Sequence, residues 1–105
     1  MEKIEIRKIN KPDIDEILSL EARFPPKSRE MMTKEKIEEM LSKNPEACLI
    51  AEENHKIVGA IFGEPKREGC KIVSLIIDLD KIGEDISSKL IKELLDRTKS
   101  KNIIK

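Results

Sequence analysis

Apolar residues recur along this chain at two spacings, and the switches between them divide it into elements. Residues 3–9, KIEIRKI, set Ile4, Ile6 and Ile9 against Lys3, Glu5 and Arg7, which predicts a first strand with one solvated face. Ile14, Ile17, Leu18 and Leu20 then fall at helical spacing as far as Phe24. Asn10 or Asp13 can cap this helix, with Pro12 near its first position. Pro25-Pro26 ends it, because proline has no N–H and disfavours helix in the residue before it. PPKSREMM reads as a loop and Thr33 as the cap of a second helix over about 34–43, with Ile37, Met40 and Leu41 inward, ending before Pro45.

Branched apolar runs follow. Cys48–Ala51 predicts a second strand, Glu53-Asn54-His55 a turn, Lys56–Gly63 the return strand, Pro65–Gly69 a second turn and Cys70–Ile77 the fourth strand, the last three strands together an antiparallel meander. The fourth strand leads into the stretch that organises the chain, SLIIDLDKIGEDISSKLIKELL, residues 74–95. Ile72, Val73, Leu75, Ile76 and Ile77 suit a strand buried on both faces. Ile86, Leu90, Ile91, Leu94 and Leu95 form one face of a last helix over about 85–99, and residues 101–105 open another strand. The polar loop DLDKIGED, with Gly83 at its turn, delivers a strand into a helix N-terminus, whose first N–H groups lack partners and attract anions.

The fold class this predicts is α/β: a mixed, mostly antiparallel sheet flanked by helices, in the order β-α-α-β-β-β-α-β. Ile103-Ile104, placed parallel beside the fourth strand, would complete a right-handed crossover. So short an edge strand leaves the sheet open, and an open edge predicts a homodimer.

Composition narrows the function. With 105 residues the chain suits one domain, and with no Trp or Tyr its core must be built from Ile, Leu, Val, Met and two Phe. The 21 basic and 21 acidic residues balance, so net charge draws it neither to nucleic acid nor to a membrane, and no apolar run reaches transmembrane length. The abundance of Lys, Glu and Ile is thermophile-like. Cys48 and Cys70, with no CxxC pair and a single His, read as buried thiols in a reducing cytoplasm, with no metal site.

Ser74–Asp80 as strand and turn, and Ile82–Leu90 as loop and helix start, resemble the central motif of the GCN5-related N-acetyltransferase (GNAT) superfamily, in which a strand and turn precede Arg/Gln-x-x-Gly-x-Gly/Ala. LIAEENHKIVGAIFGE is similar to that superfamily's hairpin, with His55 at the turn glycine. The resemblance extends over residues 3–105 and implies an N-terminal portion of an acyl-CoA N-acyltransferase-like fold, without the usual C-terminal strands and helix. It further implies acetyl-CoA or another acyl-CoA as co-substrate, with the pantetheine arm along the fourth strand at Ile76 and Ile77. The diphosphate would then rest on the loop Ile82, Gly83, Glu84, Asp85, Ile86, Ser87 and Ser88. The acceptor would be a small amine or a protein N-terminus.

The loop departs from the motif. Ile82 stands at the Arg/Gln position, and Asp85 and Ser87 at the small-residue positions. Glu84 and Asp85 place carboxylates where a diphosphate docks, at roughly 1 kcal/mol each near a surface. Asp85 is also expected to cap its own helix and occupy the N–H groups a phosphate needs. Two functions therefore stand side by side: an acyl-CoA-dependent N-acyltransferase, and a non-catalytic interaction or regulatory module of the same fold. No catalytic base stands out; Lys71, Ser74, Glu64, Glu68 and Asp78 lie nearest the fourth strand, and each reads first as a surface residue. His55 reads as an exposed turn residue. Met31-Met32 reads as a loop anchor or the wall of an acceptor groove, and Lys99, Lys101 and Lys105 as a basic tail at a helix C-terminus.

Overall fold

β1 (Ile4–Lys8), β2 (Cys48–Glu53), β3 (Lys56–Lys66), β4 (Gly69–Ile77) and β5 (Ile103–Ile104) lie side by side in chain order in one sheet. The computed structural model describes residues 3–25 and 31–104, with the side chains of residues 82–84 outside the described set, so most of PPKSREMM and Lys105 also fall outside it. β1 through β4 pair antiparallel, and β5 joins β4 in parallel, Cys70 opposite Ile103 and Lys71 opposite Ile104. The parallel placement is the one expected. α1 (Ile14–Arg23) and α2 (Lys34–Lys43) cover one face of the sheet, and α3 (Ile86–Thr98) covers the other.

Two apolar clusters follow from this layering. Ile14, Ile17 and Leu20 of α1 and Ile37 and Met40 of α2 pack on Ile50, Ala60, Phe62 and Ile76. Ile86, Leu90 and Leu94 of α3 pack on Leu49, Ala51, Val58 and Ile61. α3 sits close to the sheet because β3 offers it glycine twice. A Cβ on Gly59 would come within 3.0 Å of Ile86, and one on Gly63 within 2.9 Å of Leu94 and of the Cys70 thiol.

Several boundaries differ from the sequence reading, each for a physical reason. Asp13 does not cap α1 with its side chain. Its carboxylate instead accepts the Asn10 N–H at 2.7 Å and two bonds from Arg7, at 2.8 and 2.9 Å, across a short 3-10 turn over Lys11–Asp13. Thr33 does cap α2, its hydroxyl accepting the Lys36 N–H at 3.2 Å. Ile9 lies past the end of β1 and joins the α1–α2 cluster, whereas Ile4 and Ile6 pack on the α3 side. β3 runs through Pro65 to Lys66. Residues 64–66 extend beyond the end of β2, so the N–H that proline lacks faces no partner strand there.

β4 is not buried on both faces along its length. Past Lys71, Ile72, Val73, Leu75 and Ile77 are half-buried, while Ser74, Ile76 and the following Asp78 are closed off. The cause is the short β5. Among the described residues, Ile72–Ile77 has β3 on one side and no strand on the other. The register also slips between Phe62 and Gly63, leaving Val73 as an extra residue in β4. Ile72 therefore packs with Leu75 and Ile77 on the α3 side, while Val73 packs with Ile76 on the other.

Candidate functional site

The β4–α3 connection begins at Asp78, whose N–H donates to the Val58 carbonyl at 2.9 Å and anchors the loop to β3. The Asp78 carboxylate is 1% exposed and accepts the Asp80 N–H at 2.9 Å, opening a 3-10 stretch over Leu79–Glu84. Asp85 follows with φ 58 and ψ 33, in the left-handed region. Aspartate enters that region more readily than most residues, but glycine does so without steric cost. The Asp85 carbonyl accepts the first bond of α3, from the Lys89 N–H at 3.3 Å. Its side chain makes no capping bond to the helix.

That geometry corrects the expectation for Asp85. It occupies the cap position, but a left-handed backbone turns its side chain away from the β-region geometry in which aspartate caps. The N–H groups of Ile86, Ser87 and Ser88 precede the first intrahelical bond and receive no capping bond from it. Ile86 itself is buried under the sheet, Ser87 is half-buried and Ser88 exposed. Ile82, Gly83 and Glu84 form the end of the 3-10 stretch, and their side chains lie outside the described residues. Ile76 and Ile77 end the open-edged part of β4, with Ile76 closed into the α1–α2 core and Ile77 half-buried on the α3 side. The nine residues named for the site thus lie on one continuous strand–loop–helix passage, beside an unpaired strand edge.

Three ion pairs that sequence reasoning missed, made by two basic residues, fasten this passage. Arg23, the last residue of α1, spans Asp78 at 3.9 Å and Asp80 at 3.3 Å, with its guanidinium 4.8 Å from the centre of the Phe24 ring. Lys81 reaches Glu53, at the end of β2, at 2.6 Å; the Glu53 side chain is only 3% exposed. The partners stand 55, 57 and 28 residues apart in sequence, and no local pattern announces them.

The other candidates disperse. Glu64 is half-buried and pairs with Lys66 at 2.9 Å, which holds its carboxyl below the ordinary range. Glu68 and Lys71 are exposed, near the start of β4, more than about 20 Å of strand from the loop. Ser74 is buried beside the bulge. His55, with φ 63, and Asn54 form the exposed β2–β3 turn. Met31 is exposed while Met32 is core, its N–H donating to the buried carboxylate of Glu21 at 3.1 Å. Lys99 and Lys101 line a cavity of about 500 Å³ with Lys66 and Arg67, at the C-terminal end of α3, where cations suit the helix's negative pole. Among the described residues, no group of three His, Cys, Asp or Glu side chains is placed to hold a metal, and no helix is long and apolar enough to cross a membrane.

Residues 21–105 match the acetyltransferase (GNAT) domain family. The chain belongs to that family. No curated protein matches it in sequence. Among solved structures it is similar to Ard1 from Thermoplasma volcanium, at 18% identity and TM-score 0.78 over 91% of this chain and 64% of that one. It is also similar to the diaminobutyrate acetyltransferase EctA from Paenibacillus lautus, solved with L-2,4-diaminobutyric acid and coenzyme A, at 16% identity and TM-score 0.77 over 91% and 58%. Arabidopsis thaliana Naa50, solved with the bisubstrate analogue CoA-Ac-MVNAL, aligns at 20% identity and TM-score 0.72 over 95% and 68%. At these identities the likeness is one of fold: the five-stranded mixed sheet and three helices are those of GNAT structures. The chain spans less than two thirds of the length of Ard1 and of EctA.

Proposed function

We propose that the chain is an acyl-CoA-dependent N-acyltransferase domain, with acetyl-CoA or another acyl-CoA as co-substrate. The observation that carries this reading is the conformation of Asp85. Its left-handed backbone leaves the first turn of α3 without a capping bond from the Asp85 side chain, directly after a strand whose outer edge no described strand covers beyond Lys71. In this reading the pantetheine arm lies along β4 at Ile76 and Ile77. The diphosphate meets the passage from Ile82 through Gly83, Glu84, Asp85, Ile86 and Ser87 to Ser88, where helix N–H groups favour negative charge. GNAT membership, and relatives solved with coenzyme A or a CoA-peptide conjugate, support the co-substrate.

The transfer itself is acyl exchange between sulfur and nitrogen. The acceptor amine attacks the thioester carbonyl, a C–N bond forms, the C–S bond breaks, and the amine proton leaves as the CoA sulfur gains one. The acceptor is a small amine or a protein N-terminus, the two classes that the similar structures hold. Buried thiols at Cys48 and Cys70 suit a cytoplasmic setting, and the open β4 edge suits pairing with a second copy.

A second reading has its own observation. Asp85 remains an exposed carboxylate at the point of phosphate approach, with Glu84 before it in sequence, as a module that has given up CoA would carry. Isothermal titration with acetyl-CoA separates the two. Micromolar binding by the unaltered chain supports the acyltransferase. Binding by neither the unaltered chain nor Asp85→Gly leaves the interaction module. Size-exclusion chromatography with light scattering reads the homodimer directly, and a monomer at all concentrations would remove it.

A further inference from the structure

The last turn of α1 contacts both the segment that enters α2 and the β4–α3 loop. Glu21, 4% exposed, accepts the Met32 N–H and holds the segment that enters α2. Arg23, two residues on, turns the other way, to the β4–α3 loop. Its two partners differ in kind. Asp78 is 1% exposed and is built into the loop by the Asp80 N–H, whereas Asp80 is 75% exposed. A guanidinium that faces a buried carboxylate, reaches an exposed one and rests against an aromatic ring is positioned from three directions. The loop it holds is the one that delivers Asp85 in its left-handed conformation and sets where α3 begins.

We propose that Arg23 is a positioning residue for the cofactor loop. By spanning Asp78 and Asp80, it keeps the β4–α3 connection in the shape that presents the first N–H groups of α3, and it ties that shape to the helix end from which the α1–α2 connection departs. This rests on the acyl-CoA reading for its functional half, while the structural tie stands on Arg23, Asp78 and Asp80 alone. Arg23 does not touch the reacting atoms; it acts through the loop. Preorganised loops bind more tightly because less order is lost on binding.

The test pairs local hydrogen exchange with titration of coenzyme A, on the unaltered chain, Arg23→Ala, Arg23→Lys and Asp80→Asn. Asp80→Asn weakens only the exposed arm of the tie, so it leaves no buried charge alone and keeps the fold. The expected result for Arg23→Ala is amide exchange about tenfold faster at the hydrogen-bonded amides of Asp80, Lys81 and Lys89, with β2 and β3 unchanged. Its CoA dissociation constant rises by about tenfold. Asp80→Asn moves both readouts the same way by less, and Arg23→Lys restores part of each. Uniform acceleration across the sheet would make Arg23 a merely structural residue, and unchanged loop exchange would remove the tie; either overturns the proposal. If the unaltered chain binds no CoA, the acyl-CoA reading falls and takes the cofactor half of this proposal with it, while the exchange data still decide the tie.

Discussion

The carbonyl of Asn102 lies against the bare α-carbon of Gly69. It accepts the Cys70 N–H at 3.0 Å, and a Cβ at Gly69 would collide with it. This contact seats the start of β5 against β4, and Gly69 has φ 154, where side chains are rarely tolerated. Gly69→Ala is therefore expected to destabilise the fold by about 2 kcal/mol. Urea unfolding would measure it, and an unchanged midpoint would mean that β5 shifts freely.

Asp85 offers a split outcome. Asp85→Gly removes a charge and relieves a left-handed residue, offsetting glycine's greater loss of entropy, so stability should stay within about 1 kcal/mol. Asp85→Ala removes the same charge but keeps a Cβ at φ 58, at a cost of about 1 kcal/mol. Both should tighten CoA binding by roughly fivefold to tenfold, the worth of one like charge near a surface. Titration and thermal melts on the two variants read affinity and stability separately.

Arg7 bridges Asp13, at 2.8 and 2.9 Å, and Glu52, at 2.8 Å. The Arg7 hydrogen bonds hold the Asp13 carboxyl below its ordinary range. A depressed carboxyl stabilises the fold above its unfolded value, near pH 4, and that contribution fades as pH falls through the folded value. Asp13→Asn should cost about 1 kcal/mol at pH 7. The gap from the unaltered chain should close as denaturation is repeated at successively lower pH below 4. A gap that persists unchanged in acid would assign the cost to packing instead.

Burial pushes the Cys48 thiol up to about 12, and it also raises Cys70. Both side chains are fully covered. Neither should react with a thiol reagent at pH 8 until the chain opens, so labelling should follow unfolding. For a raised thiol the sign is the reverse of Asp13. Its stabilising share is whole below about pH 8.5 and is lost as pH rises toward the folded value, so alkaline denaturation should ease in Cys48→Ser. Labelling in native buffer at a rate independent of denaturant would contradict this.

The regular elements were legible because each carried its own period. Ile14, Ile17 and Leu20 marked α1, Ile86, Leu90 and Leu94 marked α3, and Asn54-His55 marked a turn that needs positive φ at both residues. What escaped was set by contacts between distant residues. Pro65 belongs to a strand only because β2 ends before reaching it. Val73 is an extra residue only because Phe62 and Gly63 fix the register opposite. The run Ile72–Ile77 reads as doubly buried, but how far a neighbouring strand covers it is a property of β5. At the candidate site the passage itself was legible, and its electrostatics were not. Nothing near Asp78 or Lys81 in the sequence points to Arg23 or Glu53, and a carboxylate ahead of a helix reads as a cap until its backbone angle is known.

Gly59 and Gly63 divide the molecule into a part that can change and a part that cannot. Against them α3 rests almost backbone to side chain, so that helix has no slack in height or rotation, and the loop ahead of it starts from a fixed origin. On the opposite face α1 and α2 meet the sheet through whole side chains, Ile17, Ile37 and Met40 against Ile50, Phe62 and Ile76, and among the described residues no glycine brings either helix so near. Over evolutionary time one side of this sheet serves as a ruler and the other as clay. Side chains on α1 and α2 can be exchanged without moving the point from which the β4–α3 loop starts.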